Sequence, residues 1–168
     1  MGFDEVFEVA RGADMASEAI AMKLKKSKIR PLISSACPAV VRLIQVRFPE
    51  LLESVVDVLS PMELAARVAR QEYAEAHNLA MDQIGVFFIT PCPAKMTSIH
   101  HPLGLEKSNV DGAISILEIY GLLSGQLRHH EQTYRDDVAN FLGVGWANSG
   151  GESRAVGTDN ALSVDGIQ

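Results

Sequence analysis

Val86-Phe87-Phe88-Ile89-Thr90-Pro91-Cys92-Pro93-Ala94-Lys95 is an apolar run followed at once by a turn, a thiol and a proline. The run is short, β-branched and aromatic, and bounded by Gly85 and Pro91, which is the pattern of a buried strand. A proline directly after the cysteine suits the first position of a helix. The same punctuation occurs in Pro31-Leu32-Ile33-Ser34-Ser35-Ala36-Cys37-Pro38, and Cys37 and Cys92 are the only two cysteines of the 168 residues. The carboxyl ends of strands are where open α/β sheets bind ligands. A thiolate there is a ligand for zinc or an iron–sulfur cluster. A single cysteine in such a place is more often a small buried core residue. Two thiols are also only half of the usual four-ligand set.

Outward from these motifs, strand-like and helix-like segments alternate. Residues 5–9 alternate apolar and acidic side chains and predict a strand. Residues 13–26 predict a helix with Met15, Ala19 and Met22 on its apolar face. Residues 30–34 predict a second strand, and residues 38–48 a helix opened by Pro38, with Val40, Val41, Ile44 and Phe48 as its stripe. Residues 54–59 predict a third strand. Ser60-Pro61-Met62-Glu63 combines a capping box with a proline, opening a helix to about residue 79 with Leu64, Val68 and Ala69 inward. Residues 85–90 and 110–114 complete five strands. Ser115-Ile116-Leu117-Glu118 is a second capping box. The alternation predicts an α/β fold, three layers with a mostly parallel sheet covered by helices on both faces. Residues 1–142 form this lobe. Residues 143–168, rich in Gly, Ser and Asn, read as a tail toward the missing part of the domain, either loop or structure that needs further sequence to settle it.

The chain is 47% hydrophobic and 21% charged, as soluble globular proteins are, and its net charge of -6 is spread along its length. Phosphate binding needs a basic patch, so nucleic acid is not an expected partner. The basic run of residues 23–30 reads as a solvated helix end. Two unrelated cysteines make no disulfide framework, and no apolar run spans a bilayer, so a cytoplasmic, reducing setting is expected. Both termini read as internal to a longer protein.

The two cysteine contexts together resemble the catalytic domain of the iron-only hydrogenase large subunit. That family's first motif, Thr-Ser-Cys-Cys-Pro, is matched by Ser34-Ser35-Ala36-Cys37-Pro38. Its second, Met-Pro-Cys-x-x-Lys, is matched by Thr90-Pro91-Cys92-Pro93-Ala94-Lys95. Gly2-Phe3-Asp4-Glu5-Val6-Phe7, Gly12-Ala13-Asp14-Met15, Phe48-Pro49-Glu50-Leu51-Leu52 and Ser60-Pro61 agree as well. The resemblance runs from Met1 to about Tyr120 and implies one lobe of a two-lobed domain. It implies that Cys37 and Cys92 are two of the four cysteines around the 4Fe-4S cubane of the H-cluster. It implies too that Lys95 is the lysine that hydrogen-bonds a cyanide of the diiron subcluster, the one catalytic-site match. The other two cysteines belong to a glycine-rich motif nearer the family's C-terminus, in the remaining lobe of the same parent chain.

The departures are as informative. The first cysteine of the family's first motif, a proton carrier, is Ala36 here. Two relay glutamates fall at Ile20 and Lys23, a relay serine at Val56, the glutamate beyond the matched lysine at Ser98, and the second motif's methionine at Thr90. A proton route needs groups that both donate and accept, which alanine, isoleucine and valine do not. Kept ligands with a lost route resemble the sensory branch of the family, acting on hydrogen and protons as a sensor of hydrogen or redox state. Two other readings stand beside it: an iron–sulfur assembly factor of the same fold without the diiron centre, and a cluster-free interaction module. The isolated chain is expected to be colourless, to bind no cluster and to be inactive. It could form a homodimer through the face left by the missing lobe.

Other motifs carry less. His100-His101 and His129-His130 are adjacent pairs whose side chains diverge, so neither grips one ion. Gly143-Val144-Gly145 and Gly150-Gly151 lack dinucleotide-binding spacing. Met15, Met22 and Met62 read as core filler, and Glu50 and Glu53 as a solvated helix end.

Overall fold

The computed structural model describes residues 2–125 and 139–164, in two compact units. The first comprises the chain up to Ala65 together with the segment from Ala139. Its central element is α1 (Val9–Lys26), rich in Ala, Met, Glu and Lys, which are strong helix formers. Lys23, Lys25 and Lys26 fill the last turn, where cations complement the helix dipole. The buried stripe of α1 is Gly12, Ala13, Ala16 and Ser17. Met15 and Met22 are exposed instead, so the expected apolar face was misassigned, and of the three candidate methionines only Met62 is core.

The reason lies in close packing. A Cβ on Gly12 would run into the Pro61 carbonyl oxygen and lie 2.8 Å from the Ala65 amide nitrogen and 2.9 Å from its Cβ. Small side chains thus let α1 touch the start of α3 (Pro61–His77) backbone to backbone. Pro61 opens α3 at its first residue, and the Ser60 hydroxyl accepts from the Glu63 amide at 3.4 Å, as the capping box predicts.

The strand expected over residues 5–9 is absent: residues 5–8 are irregular and α1 already begins at Val9. The alternation there serves other contacts. Arg11 lies 4.3 Å above the Phe7 ring, and the Glu8 carboxylate accepts from the Ala139 amide at 2.7 Å. Expected strands 30–34 and 54–59 shrink to one parallel bridge, Ile33 to Val55, with Ile33 N–H donating to Ser54 and Val56 N–H donating to Ile33, both at 2.8 Å. Between them runs α2 (Pro38–Arg47), with Pro38 at its first position. It buries Val41 and Ile44, each worth about 1.5–3 kcal/mol if fully removed from water. Val40 and Phe48, predicted for that stripe, are exposed.

The tail is more ordered than a loop. Residues 141–156 carry two short helices that pack on α1.

The second unit runs from Ala66. Beyond α3 it contains a 3₁₀ turn (Met81–Gln83), β1 (Phe87–Thr90), α4 (Pro93–His100), β2 (Gly112–Ser115) and α5 (Ile116–Leu123). The strands are parallel, with Phe87 opposite Gly112 and Thr90 opposite Ser115, and α4 is the crossover between them. Gly112 is required by contact: a Cβ there would sit 3.0 Å from the Phe87 ring. Ser115 ends β2 and caps α5 reciprocally, accepting from Glu118 N–H at 3.3 Å while the Glu118 carboxylate accepts from Ser115 N–H at 3.0 Å. The fold is thus α/β with a small parallel sheet, two strands among the described residues where five were expected.

In the first unit, α6 (Phe141–Val144) is capped by the Asn140 side chain, which accepts from Leu142 and Gly143 N–H at 2.8 and 3.2 Å. α7 (Gly151–Val156) follows. The Trp146 indole N–H donates to Ser17 Oγ at 3.1 Å, and Ser17 Oγ donates back to the Ala13 carbonyl at 2.8 Å.

Replacing Gly12 by alanine forces α1 off α3. Urea denaturation of Gly12→Ala should show a loss of about 1–3 kcal/mol from overpacking, where an exposed Gly121→Ala should not.

Candidate functional site

Cys37 and Cys92 occupy the same local geometry. Each is the N-cap of a helix whose first residue is proline, with φ/ψ of -96°/107° for Cys37 and -96°/110° for Cys92. Each carbonyl accepts the first helical hydrogen bond, from Val41 at 3.1 Å and from Met96 at 3.2 Å. Neither side chain caps its own helix, and both thiols are free. An N-cap of Ser, Thr or Asp would spend its oxygen on the backbone, whereas these sulfurs are uncommitted. That chemistry fits a soft metal ligand. Cys37 is exposed and Cys92 half-buried.

A hydroxyl two or three residues before each cysteine accepts from the backbone of its turn. The Cys92 amide donates to Thr90 Oγ at 3.1 Å, and Thr90 is 3% exposed. The Ala36 amide donates to Ser34 Oγ at 3.2 Å. Ser35 Oγ donates to the Val58 carbonyl at 2.7 Å, fastening the Cys37 loop to the chain beyond the Ile33–Val55 bridge. Thr90, a departure from the family motif in sequence, therefore has a structural task that sequence reasoning did not find. Lys95 lies in the first turn of α4, half-buried, on the same helix start as Cys92. Cys37 belongs to the first unit.

One side chain organises the approach to Cys92. Arg70 Nη1 donates to the Met81 and Ile84 carbonyls, and its Nη2 donates to the Asn109 carbonyl at 3.0 Å and to Asp111 Oδ2 at 2.5 Å. The same Asp111 oxygen accepts from the Val86 amide at 2.8 Å. The guanidinium fork thus joins α3 to the residues that lead into β1 and β2. Burial works to raise the Asp111 carboxyl, but the Val86 amide, the Arg70 hydrogen bond and the charges of Arg70 and Lys107 outweigh it, and the net shift is downward from the ordinary 3.8.

Three of the positions where the resemblance puts proton carriers hold alanine, isoleucine and valine, which carry no proton. Ala36 and Ile20 are half-buried, and Val56 is 5% exposed and uses its amide in the bridge to Ile33. Lys23 is exposed and pairs with Asp57 at 3.5 Å. Ser98 Oγ donates to the Lys95 carbonyl at 2.8 Å. His100 and His101 are exposed at the end of α4, and His129 and His130 lie outside the described residues. Among the described residues no group of three or more His, Cys, Asp and Glu side chains is placed to hold a metal, and no helix is long and apolar enough to cross a membrane.

An α/β chain with cysteine N-caps after two parallel β connections defines a narrow class. A family model described as "Iron only hydrogenase large subunit, C-terminal domain" matches residues 1–164, and the chain belongs to that family. Iron hydrogenase 1 of Clostridium pasteurianum is 25% identical over 126 residues, covering 71% of this chain and 22% of that protein. The NADP-reducing hydrogenase subunit HndD of Solidesulfovibrio fructosivorans is 26% identical, covering 69% of this chain and 22% of its own length. The chain thus spans about a fifth of these relatives, 22% in each case. Among solved structures, the apo [FeFe]-hydrogenase HydA1 of Chlamydomonas reinhardtii superposes with a TM-score of 0.67 at 21% identity, over 81% of this chain and 37% of that one.

Removing the Arg70 fork strands several carbonyls and a carboxylate. Arg70→Ala should cost about 2–3 kcal/mol by denaturant unfolding. The Asp111 contribution, from a lowered pKa, is present above pH 3.8 and lost as the pH falls below it. Acid unfolding of Asp111→Asn should therefore show a shallower loss of stability than the parent below that pH.

Proposed function

We propose that this chain supplies two thiolate ligands, Cys37 and Cys92, to an iron–sulfur site of the H-cluster type, and that the parent protein senses hydrogen or redox state rather than turning hydrogen over rapidly. The observation that carries the ligand reading is the repeated cysteine N-cap, with both sulfurs unused by the backbone. When bound, such a cluster supplies redox chemistry and a place for hydrogen to be activated. The chain's own part is to fix two sulfur atoms at rigid helix starts and to offer the Lys95 ammonium as a donor to an anionic ligand of the diiron subcluster. Two thiolates leave a cubane half ligated. The remaining pair is assigned to the remaining lobe of the parent chain, a cytoplasmic protein with hydrogen and protons as its small-molecule substrates.

The sensing reading rests on Ala36, Ile20, Lys23 and Val56. Loss of a positioned proton carrier costs about 10²–10⁴-fold in rate. The assembly-factor alternative keeps the cubane and dispenses with the diiron subcluster. Lys95 favours the hydrogenase branch, since it matches the lysine that contacts the diiron subcluster in that branch.

In the parent chain prepared anaerobically, Cys37→Ser and Cys92→Ser should each lower bound iron and the cubane's visible absorption. Unchanged iron in both would remove the ligand assignment. Ala36→Cys alone should leave hydrogen turnover low, because Ile20 and Val56 still interrupt the route, and a parent already as fast as relatives with a complete route would defeat the sensing reading.

A further inference from the structure

A titratable group joined to the Cys37 loop comes from the far end of the chain. Ser34 Oγ donates to Glu152 Oε1 at 2.6 Å while accepting from the Ala36 amide at 3.2 Å. The hydroxyl therefore links the backbone just before Cys37 to a half-buried carboxylate on α7. That helix packs closely on the segment before it. A Cβ on Gly151 would collide with the Gly145 carbonyl oxygen and sit 2.5 Å from that of Trp146, and Trp146 is itself tied to Ser17. Gly150 and Gly157 bracket α7 at φ of 67° and 76°, in the left-handed region that side chains avoid.

We propose that Glu152 is a positioning residue for the Cys37 turn, acting through Ser34, and that its protonation loosens this hold. The functional meaning rests on Cys37 being a cluster ligand; the latch itself does not.

An ionised carboxylate accepts a charge-assisted bond from Ser34. Once protonated it loses the negative charge that strengthens that bond. Burial pushes the Glu152 carboxyl up from its ordinary 4.5, against the opposing pull of the Ser34 hydroxyl, and no charged neighbour contributes. α6 carries no titratable side chain. On α1, Arg11 lies over Phe7, Asp14 accepts from the Asn140 amide at 3.2 Å, and Glu18 is exposed. Arg154 on α7 is exposed, with its guanidinium beside Gly150. The transition therefore belongs above pH 4.5, in the direction of neutrality.

The test is thiol exchange on this chain with a pyridyl disulfide, which reacts at acid pH, with Cys92 as the internal reference. The Cys37 to Cys92 rate ratio should rise about threefold or more as the pH falls through the transition. Glu152→Gln should abolish that pH dependence while holding Cys37 better than Glu152→Ala, and Ser34→Ala should behave as Glu152→Ala does. Circular dichroism confirms that each variant is folded. A ratio independent of pH in the parent, or unchanged in a folded Glu152→Ala, overturns the proposal. Neither result depends on whether the parent chain loads a cluster.

Discussion

Side chains of one carbon or none on α1 let backbone meet backbone, and the first unit follows from that contact. Gly12 admits the Pro61 carbonyl and Ala65, so α3 starts where α1 allows. One turn on, Asp14 accepts from the Asn140 amide and Ser17 accepts from Trp146, so the segment after residue 139 is pinned to the same helix. Gly143 serves the same contact from the other side, since a Cβ there would strike Ala10 and Asp14. The chain that results places Glu152 against Ser34, three residues before Cys37. Packing on α1 is thereby translated into the position of a thiol.

The second unit reaches the equivalent end by a polar route. Arg70 satisfies carbonyls from the turn after α3 and the approach to β2, and Asp111 shares one oxygen between Arg70 and Val86. Those bonds set where β1 begins, and four residues later the buried Thr90 hydroxyl turns the backbone into Cys92. Two unlike supports produce N-cap backbones with almost the same dihedral angles. Such preorganisation suits a ligand whose geometry must hold when a cluster changes oxidation state.

Local punctuation made much of this legible in sequence. Pro38, Pro61 and Pro93 announce helix starts, Ser115 with Glu118 announces a reciprocal cap, and the apolar run into Thr90 announces β1; each acts within a few residues. Long-range pairings were not legible. Residues 5–8 alternate like a strand but are irregular, and Glu8 is used 131 residues away at Ala139. The inward face of α1 was read from methionines, whereas close approach selects glycine, alanine and serine. Helices of four and six residues are too short to show a period, so α6 and α7 leave no helical signal in the sequence. Glu152 had no local signal at all, since Ser34 lies 118 residues before it. The cysteine pair stood out through its repeated strand, thiol and proline punctuation, the role of Lys95 only through the family resemblance, and the family match over residues 1–164 bears that resemblance out.

The central claim is that both cysteine N-caps hold iron. An anomalous-difference map at the iron edge, from crystals of the anaerobically loaded parent chain, tests it atom by atom. The account predicts iron within bonding distance of both Cys37 Sγ and Cys92 Sγ. Iron bound elsewhere with both sulfurs bare would contradict it.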